Sequence, residues 1–265
     1  YLSFIQAPES AAPSLRRFLN NVVPRSIARA HHVLADSEAT RQDVIAEYGT
    51  APTKISVLYS GVDPRFSPIT DPDHLSALRQ RYQIGEARFV LAVGTVQPRK
   101  NYARLAEAVA AQADPDVKLV IAGGKGWLED DLYRRIDALK LGQRVQFLGF
   151  VPDEDLPSLY SAAEILAFPS LYEGFGLPIL EAMACGTPVL TANVSSMPEV
   201  AGDAALLVDP TSVDALADAL TQLLDRETLR TTLIERGFAQ AKRFTWAKAA
   251  RQLRQTYATL LDEAP

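Results

Sequence analysis

The stretch Ile165-Leu-Ala-Phe-Pro-Ser-Leu-Tyr-Glu173-Gly-Phe-Gly-Leu-Pro-Ile-Leu-Glu181 reads as a strand, a tight loop and a helix. Ile165 to Phe168 is apolar throughout, as in a strand covered on both faces rather than one. Pro178 suits the first helical position, where its missing N–H costs nothing and its φ is already helical. The helix continues through Ile179 to Cys185, and Gly186 stands where a left-handed cap closes a helix. Gly174 and Gly176 let the backbone approach a ligand closely. Free N–H groups and the positive end of a helix dipole favour an anion at such a start, phosphate above all. A carboxylate beside phosphate repels it, so Glu173 and Glu181 are expected to point elsewhere, towards hydroxyl groups. Phosphate flanked by hydroxyls describes a sugar nucleotide.

Outward from this stretch, the same alternation recurs. Phe89–Val93, Lys118–Ala122, Val145–Leu148, Pro188–Thr191 and Ala205–Val208 are short apolar runs. Between and after them, Tyr102 to Ala113, Leu128 to Leu141, Glu154 to Ala163 and Asp209 to Asp225 have helical spacing. Alternating β and α predicts an α/β fold, a Rossmann-like parallel sheet with helices on both faces. Ligands of such sheets sit beyond the carboxyl ends of the strands. The loops after Val93, Ala122, Leu148 and Phe168 leave those ends. No Gly-x-Gly-x-x-Gly follows Val93, which argues against a dinucleotide site.

Earlier in the chain, Arg16 to Ala30 reads as a helix, His32 to Ala35 as a strand and Glu38 to Tyr48 as a helix capped by Ser37. Ile55 to Leu58 then leads into the turn-rich Tyr59-Ser-Gly-Val-Asp-Pro-Arg-Phe66. The composition is that of an ordinary globular protein, 48% hydrophobic and 22% charged over 265 residues. A net charge of −5 argues against a general nucleic-acid binder. One cysteine, Cys185, excludes an internal disulfide and a cysteine zinc site, and it reads as a packed small side chain. No apolar run reaches membrane-spanning length and no secretory signal is visible, so a cytoplasmic location is expected. The chain opens on Tyr1 and reads as a fragment. Arg16, Arg17, Arg25 and Arg29 read first as a solvated helix face. A peripheral contact with anionic lipid at the inner face of the plasma membrane is the second reading.

Several segments carry a family resemblance. The Glu173-to-Glu181 segment is similar to the E-x7-E motif of retaining glycosyltransferases of family 4 (glycosyl transferases group 1), which have the GT-B fold. Val93-Gly-Thr-Val-Gln-Pro-Arg-Lys-Asn101, Ala122-Gly-Gly-Lys-Gly-Trp127, Phe147-Leu-Gly-Phe-Val151, Phe168 to Glu173 and Pro198-Glu-Val-Ala-Gly-Asp203 resemble that family in its order. The resemblance covers most of residues 55 to 265. It implies that residues 1–65 are the end of an acceptor-side amino-terminal domain plus a crossover linker. Residues 66–265 are then the donor domain, with a last helix over 246–261 packing back towards the amino-terminal side. The family places Asn before Gly-Val-Asp where this chain has Ser60.

The resemblance also implies roles. Arg99 and Lys100 are expected to stabilise the departing diphosphate. The family arginine directly after the strand glycine is replaced here by Thr95; Lys100 aligns with the family lysine, and Arg99 supplies the other cation. Glu173 is expected at the hydroxyls of the transferred sugar and Glu181 at the ribose. Gly94, Thr95 and the backbone of Gly174, Phe175, Gly176 and Leu177 are expected at sugar and phosphate. Val151 is either the residue whose backbone meets the base or simply a strand end. Lys125 reads as a surface lysine and Trp127 as core. His31, His32 and His74 lack ligand spacing, and no Asp-x-Asp metal motif is present, so metal-independent transfer without a cofactor is expected.

The function this implies is a retaining hexosyltransferase using a UDP- or GDP-sugar. Its acceptor is a glycan or lipid-linked molecule of bacterial surface-polysaccharide synthesis. Pro-Arg-Lys-Asn with Gly-Gly-Lys-Gly-Trp resembles mannosyl and related transferases, which puts GDP-mannose first. The alternative is an isolated noncatalytic nucleotide-sugar binding module, because the rest of the acceptor-side domain has no counterpart before Tyr1. Such enzymes have no protein nucleophile in the favoured mechanism. The acceptor attacks the face that the diphosphate leaves.

Overall fold

The computed structural model describes residues 2–126 and 130–262. Two short parallel strands, β1 (Val33–Ala35) and β2 (Ile55–Val57), pair near the amino terminus. Six more form the main sheet: β3 (Phe89–Val93), β4 (Lys118–Ala122), β5 (Val145–Gly149), β6 (Ile165–Phe168), β7 (Val189–Ala192) and β8 (Ala205–Val208). They are all parallel, in the order β5-β4-β3-β6-β7-β8. The chain builds outward from β3 in one direction, then returns to β6 and builds in the other. The expected α/β sheet is therefore present, and its strand order reverses between β3 and β6. In parallel sheets ligands sit at such a reversal, where the loops of two adjacent strands leave towards helices on opposite faces.

Each central strand has apolar side chains on both faces. In β3, Phe89 and Leu91 join one core while Val90 and Ala92 join the other. β6 divides likewise, Leu166 and Phe168 against Ile165 and Ala167. The period of two along a strand sends neighbours to opposite faces, so an unbroken apolar run serves two cores at once. Ile179, Leu180 and Met183 of helix Leu177–Ala184 cover the first face. Leu105 and Val109 of helix Tyr102–Ala110 and Leu216 and Leu220 of helix Val213–Asp225 cover the second.

Helix Leu177–Ala184 ends as its sequence requires. Gly186 has φ 78°, the Thr187 N–H donates to the Ala182 carbonyl at 2.9 Å, and the Gly186 N–H to that of Met183 at 3.3 Å. This paired closure uses the one residue type free of Cβ strain in that conformation. Proline sits in the first turn, one residue later than expected, because Leu177 already begins the helix and Gly176 precedes it in a left-handed conformation.

The amino-terminal unit has its own small core of Leu2, Phe4, Ala35, Val44 and Ile55. Helix Glu38–Tyr48 starts at Ser37, whose hydroxyl accepts from the Thr40 N–H at 3.0 Å. Helix Pro13–Arg29 carries Arg16, Arg17, Arg25 and Arg29 and buries none of its residues. The last helix, Trp246–Asp262, lies along the segment that leaves β2. The Gln252 amide donates to the Val57 carbonyl at 2.5 Å, and Tyr59 meets Phe244 edge to face at 5.5 Å. A Cβ on Gly61 would stand 2.1 Å from the Trp246 backbone nitrogen, so only glycine lets these segments cross. Among the described residues no helix is long and apolar enough to cross a membrane.

Candidate active site

The two loops at the strand reversal meet through Arg99, Lys100 and Glu173. After β3 the chain turns at Gly94 (φ 134°), runs to a 3₁₀ turn over Pro98–Lys100, and enters helix Tyr102–Ala110 through Asn101, itself left-handed. A Cβ on Gly94 would stand 2.8 Å from Lys100 Cε. The missing side chain is thus the space through which the lysine passes. The loop after β6 is pinned to the first: the Leu171 N–H donates to the Arg99 carbonyl at 2.8 Å, and the Asn101 amide to the Pro169 carbonyl at 3.1 Å.

Both cations reach the same oxygen. Arg99 Nη1 lies 2.5 Å and Lys100 Nζ 2.7 Å from Glu173 Oε1. Arg99 also donates to the Tyr172 carbonyl at 2.6 Å, and the Lys100 ammonium stands 4.4 Å from the centre of the Phe168 ring. All three side chains are buried. The sequence reading assigns Glu173 to sugar hydroxyls; here its carboxylate faces Arg99 and Lys100. The carboxylate is the counter-ion of both, since two buried cations without one carry a large desolvation cost. Burial opposes ionisation of Glu173, but Lys100 and Arg99 overcome it and hold the carboxyl below its usual range. Burial pushes the Lys100 ammonium down, and Glu173 opposes that shift. Arg99 and Lys100 bring two buried positive charges together where the loops after β3 and β6 meet. That arrangement attracts an anion.

Two serines that the sequence reading did not single out hold the Glu173 loop from behind. Ser195, left-handed with φ 56°, donates to the Glu173 carbonyl at 2.6 Å and accepts from the Glu173 N–H at 3.2 Å. Ser196 donates to the Phe175 carbonyl at 2.7 Å. The amino-terminal unit holds the loop from the front. Tyr172 donates to Asp43 at 2.5 Å, and Thr40 to the Gly174 carbonyl at 3.3 Å. Gly174, Phe175 and Gly176 are buried within this clamp, while Leu177 is partly exposed. Phe175 packs against Tyr59 and Phe244 at 5.9 and 5.7 Å.

Glu181 occupies a different environment one helix further on. Its Oε2 accepts from the Tyr160 hydroxyl at 2.7 Å. Burial raises its pKa, the phenol lowers it, and Asp153 and Asp63 raise it further. It lines a cleft of ≈ 200 Å³ together with Asp63, Arg65, Leu177 and Trp246. The backbone positions at Gly94 and Thr95 border the β3 loop, and Thr95 is exposed. Val151 is buried just beyond β5, whereas Phe150 is 78% exposed. Lys125 is exposed, as expected of a surface lysine. Trp127 lies outside the described residues, and the helix expected from Leu128 is described as Asp130–Ala138. Cys185 is buried, and burial pushes its thiol up to about 12.

A profile described as "Glycosyl transferases group 1" matches residues 76–240, more than half of the chain. The chain belongs to the group 1 glycosyl transferases. A second profile, "Glycosyltransferase Family 4", matches residues 5–66, the segment read as the end of an acceptor-side domain. The family is one of glycosyltransferase enzymes with the GT-B fold. "O-antigen chain mannosyltransferase B" of Escherichia coli is 35% identical over 262 residues, covering 98% of this chain and 68% of that one. "D-inositol 3-phosphate glycosyltransferase" of Corynebacterium glutamicum is 36% identical, over 87% of this chain and 58% of that one. The chain thus spans less than two thirds of this second relative. The crystal structure of Anabaena HepE in complex with UDP-glucose superimposes with a TM-score of 0.82 at 28% identity, covering 96% of this chain and 70% of that one.

Proposed function

We propose that this chain is the donor-binding half of a retaining hexosyltransferase of bacterial surface-polysaccharide assembly. Mannose is the sugar put first, carried by GDP-mannose within the wider class of UDP- and GDP-sugars, and the acceptor is a glycan or lipid-linked molecule. One observation carries the reading: Arg99 and Lys100 converge on a single carboxylate oxygen at the strand reversal. A diphosphate entering the crevice takes these two cations and frees Glu173 for the hydroxyls of the sugar. As the glycosidic bond breaks, negative charge grows on the departing diphosphate, and the preorganised cations stabilise it where water is excluded. The countercharge is assigned to these side chains, without a metal ion. The backbone of Gly94, Thr95 and Gly174 to Leu177 is assigned to sugar and phosphate, Glu181 to the ribose and the Val151 backbone to the base. The relative named an O-antigen chain mannosyltransferase supports the sugar, and the UDP-glucose complex of Anabaena HepE supports the donor class.

The test replaces Arg99 and Lys100 together by Ala and measures calorimetric affinity for GDP, UDP and the matching nucleosides. Diphosphate affinity is expected to fall by one to two orders of magnitude, about 1.4 kcal/mol for each, with nucleoside affinity nearly unchanged. Equal losses for both ligand types remove the phosphate role from this pair.

A further inference from the structure

Tyr160 is a large aromatic side chain with no exposed surface, yet it ends in a polar group. It stands on helix Leu156–Ala162. Its ring meets Phe66 edge to face at 5.9 Å, and its carbonyl accepts from the Thr187 hydroxyl at 2.7 Å. Ring and backbone are thus both fixed. The hydroxyl reaches Glu181 Oε2 at 2.7 Å. Burial, then the neighbouring Glu181, pushes the phenol well above its ordinary value, so it stays protonated and acts as a donor. A purely apolar core position is filled as well by phenylalanine, without a hydroxyl that needs a partner. The carboxylate is otherwise on a flexible arm of two methylenes at the edge of the cleft that also contains Asp63 and Arg65.

We propose that Tyr160 is a positioning residue for Glu181: it holds one carboxylate oxygen so that the other faces the cleft and takes the ribose hydroxyls of a nucleoside diphosphate. This deepens, and rests on, the donor site assigned above. A fixed carboxylate loses little rotamer freedom when the ligand arrives, and binding gains what is not lost. The neighbouring Asp63 and Asp153 repel Glu181, so without the phenol the carboxylate is free to turn towards open solvent.

The experiment measures calorimetric affinities of UDP and GDP against their 2′,3′-dideoxy forms, for the wild-type chain, Tyr160→Phe and Glu181→Ala. The phenylalanine keeps the ring and its packing, and melting temperatures are recorded for each protein. The wild type is expected to prefer the ribose forms. Tyr160→Phe should cut that preference roughly fivefold, the size of one ordinary hydrogen bond, with dideoxy affinity unchanged. Glu181→Ala should abolish it. A preference lost in Glu181→Ala but retained in Tyr160→Phe overturns the role of Tyr160 alone. An equal loss for ribose and dideoxy forms in Tyr160→Phe marks a packing role and overturns it too. A wild-type chain that binds none of the four nucleotides, or a preference that survives Glu181→Ala, overturns the donor site as well.

Discussion

The two ends of the Glu173-to-Glu181 segment are built from the same residue type and are electrostatic opposites. Glu173 meets two cations and is held below the ordinary carboxyl range. Glu181 meets a phenol, and burial holds its pKa above that range. A spacing of eight residues sets the two acids on one loop and the helix that follows it, but each inherits its charge state from whatever the tertiary fold packs against it. A sequence motif fixes which groups arrive; the neighbours decide what each can do.

The sharpest way to break this contrast is to neutralise Glu173. Glu173→Gln should cost roughly 3–5 kcal/mol of stability in urea denaturation at neutral pH, because it strips the counter-ion from two buried cations. A cost within about 1 kcal/mol, the range of ordinary surface changes, would mean that the triad is solvated rather than dry. Truncating the other acid should matter less. Glu181→Ala leaves only the Tyr160 hydroxyl without its acceptor, a loss of about 1–3 kcal/mol. If the two substitutions cost the same, the contrast fails.

The smallest effect is on pH dependence, and its sign differs between the two ends. Glu173 has a depressed folded pKa, so its contribution is present above the unfolded value of about 4 and lost as pH falls through the folded one. Glu173→Gln should therefore flatten the acid limb of the stability curve. Glu181 has a raised folded pKa, so its contribution is present below the unfolded value and lost as pH rises through the folded one. Glu181→Gln should thus gain on the wild type as pH climbs from the carboxyl range to neutrality. Parallel melting curves across that window would show that neither acid differs from a solvated one.

Much of the frame is legible in the sequence because its strands are apolar on both faces and need no partner to be recognised. Val90 and Leu91 declare a doubly covered strand whichever helix covers them. Helix Glu227–Ala241 escapes such reading for the opposite reason. It buries Leu233, Gly237, Gln240 and Ala241, among which only one is large and apolar, so no stripe marks its inner face. Gly237 lets it approach closely; a Cβ there would stand 3.2 Å from Met183 Cγ. Helix Pro72–Arg81 does carry a start signal, an Asp71 side chain that accepts from the Asp73 N–H at 3.1 Å, but its body is mostly polar.

At the site, the residue types were legible and their pairing was not. Lys100 and Glu173 are 73 residues apart and become neighbours only because β3 and β6 lie side by side. Ser195 and Ser196 carried no signal at all. A hydroxyl that bonds a carbonyl elsewhere in the chain looks in sequence like any loop serine, and the left-handed backbone of Ser195 is visible only once the fold is known.

The crossing at Gly61 has a practical consequence for building chimaeras. The segment around Gly61 and the first turn of the terminal helix touch backbone to backbone there, with no side chain between them to repack. A hybrid that exchanges residues 1–61 with another family member inherits a foreign path at this seam unless 245–262 travel with them. The natural cassette for domain shuffling is thus two separate pieces of chain, exchanged together.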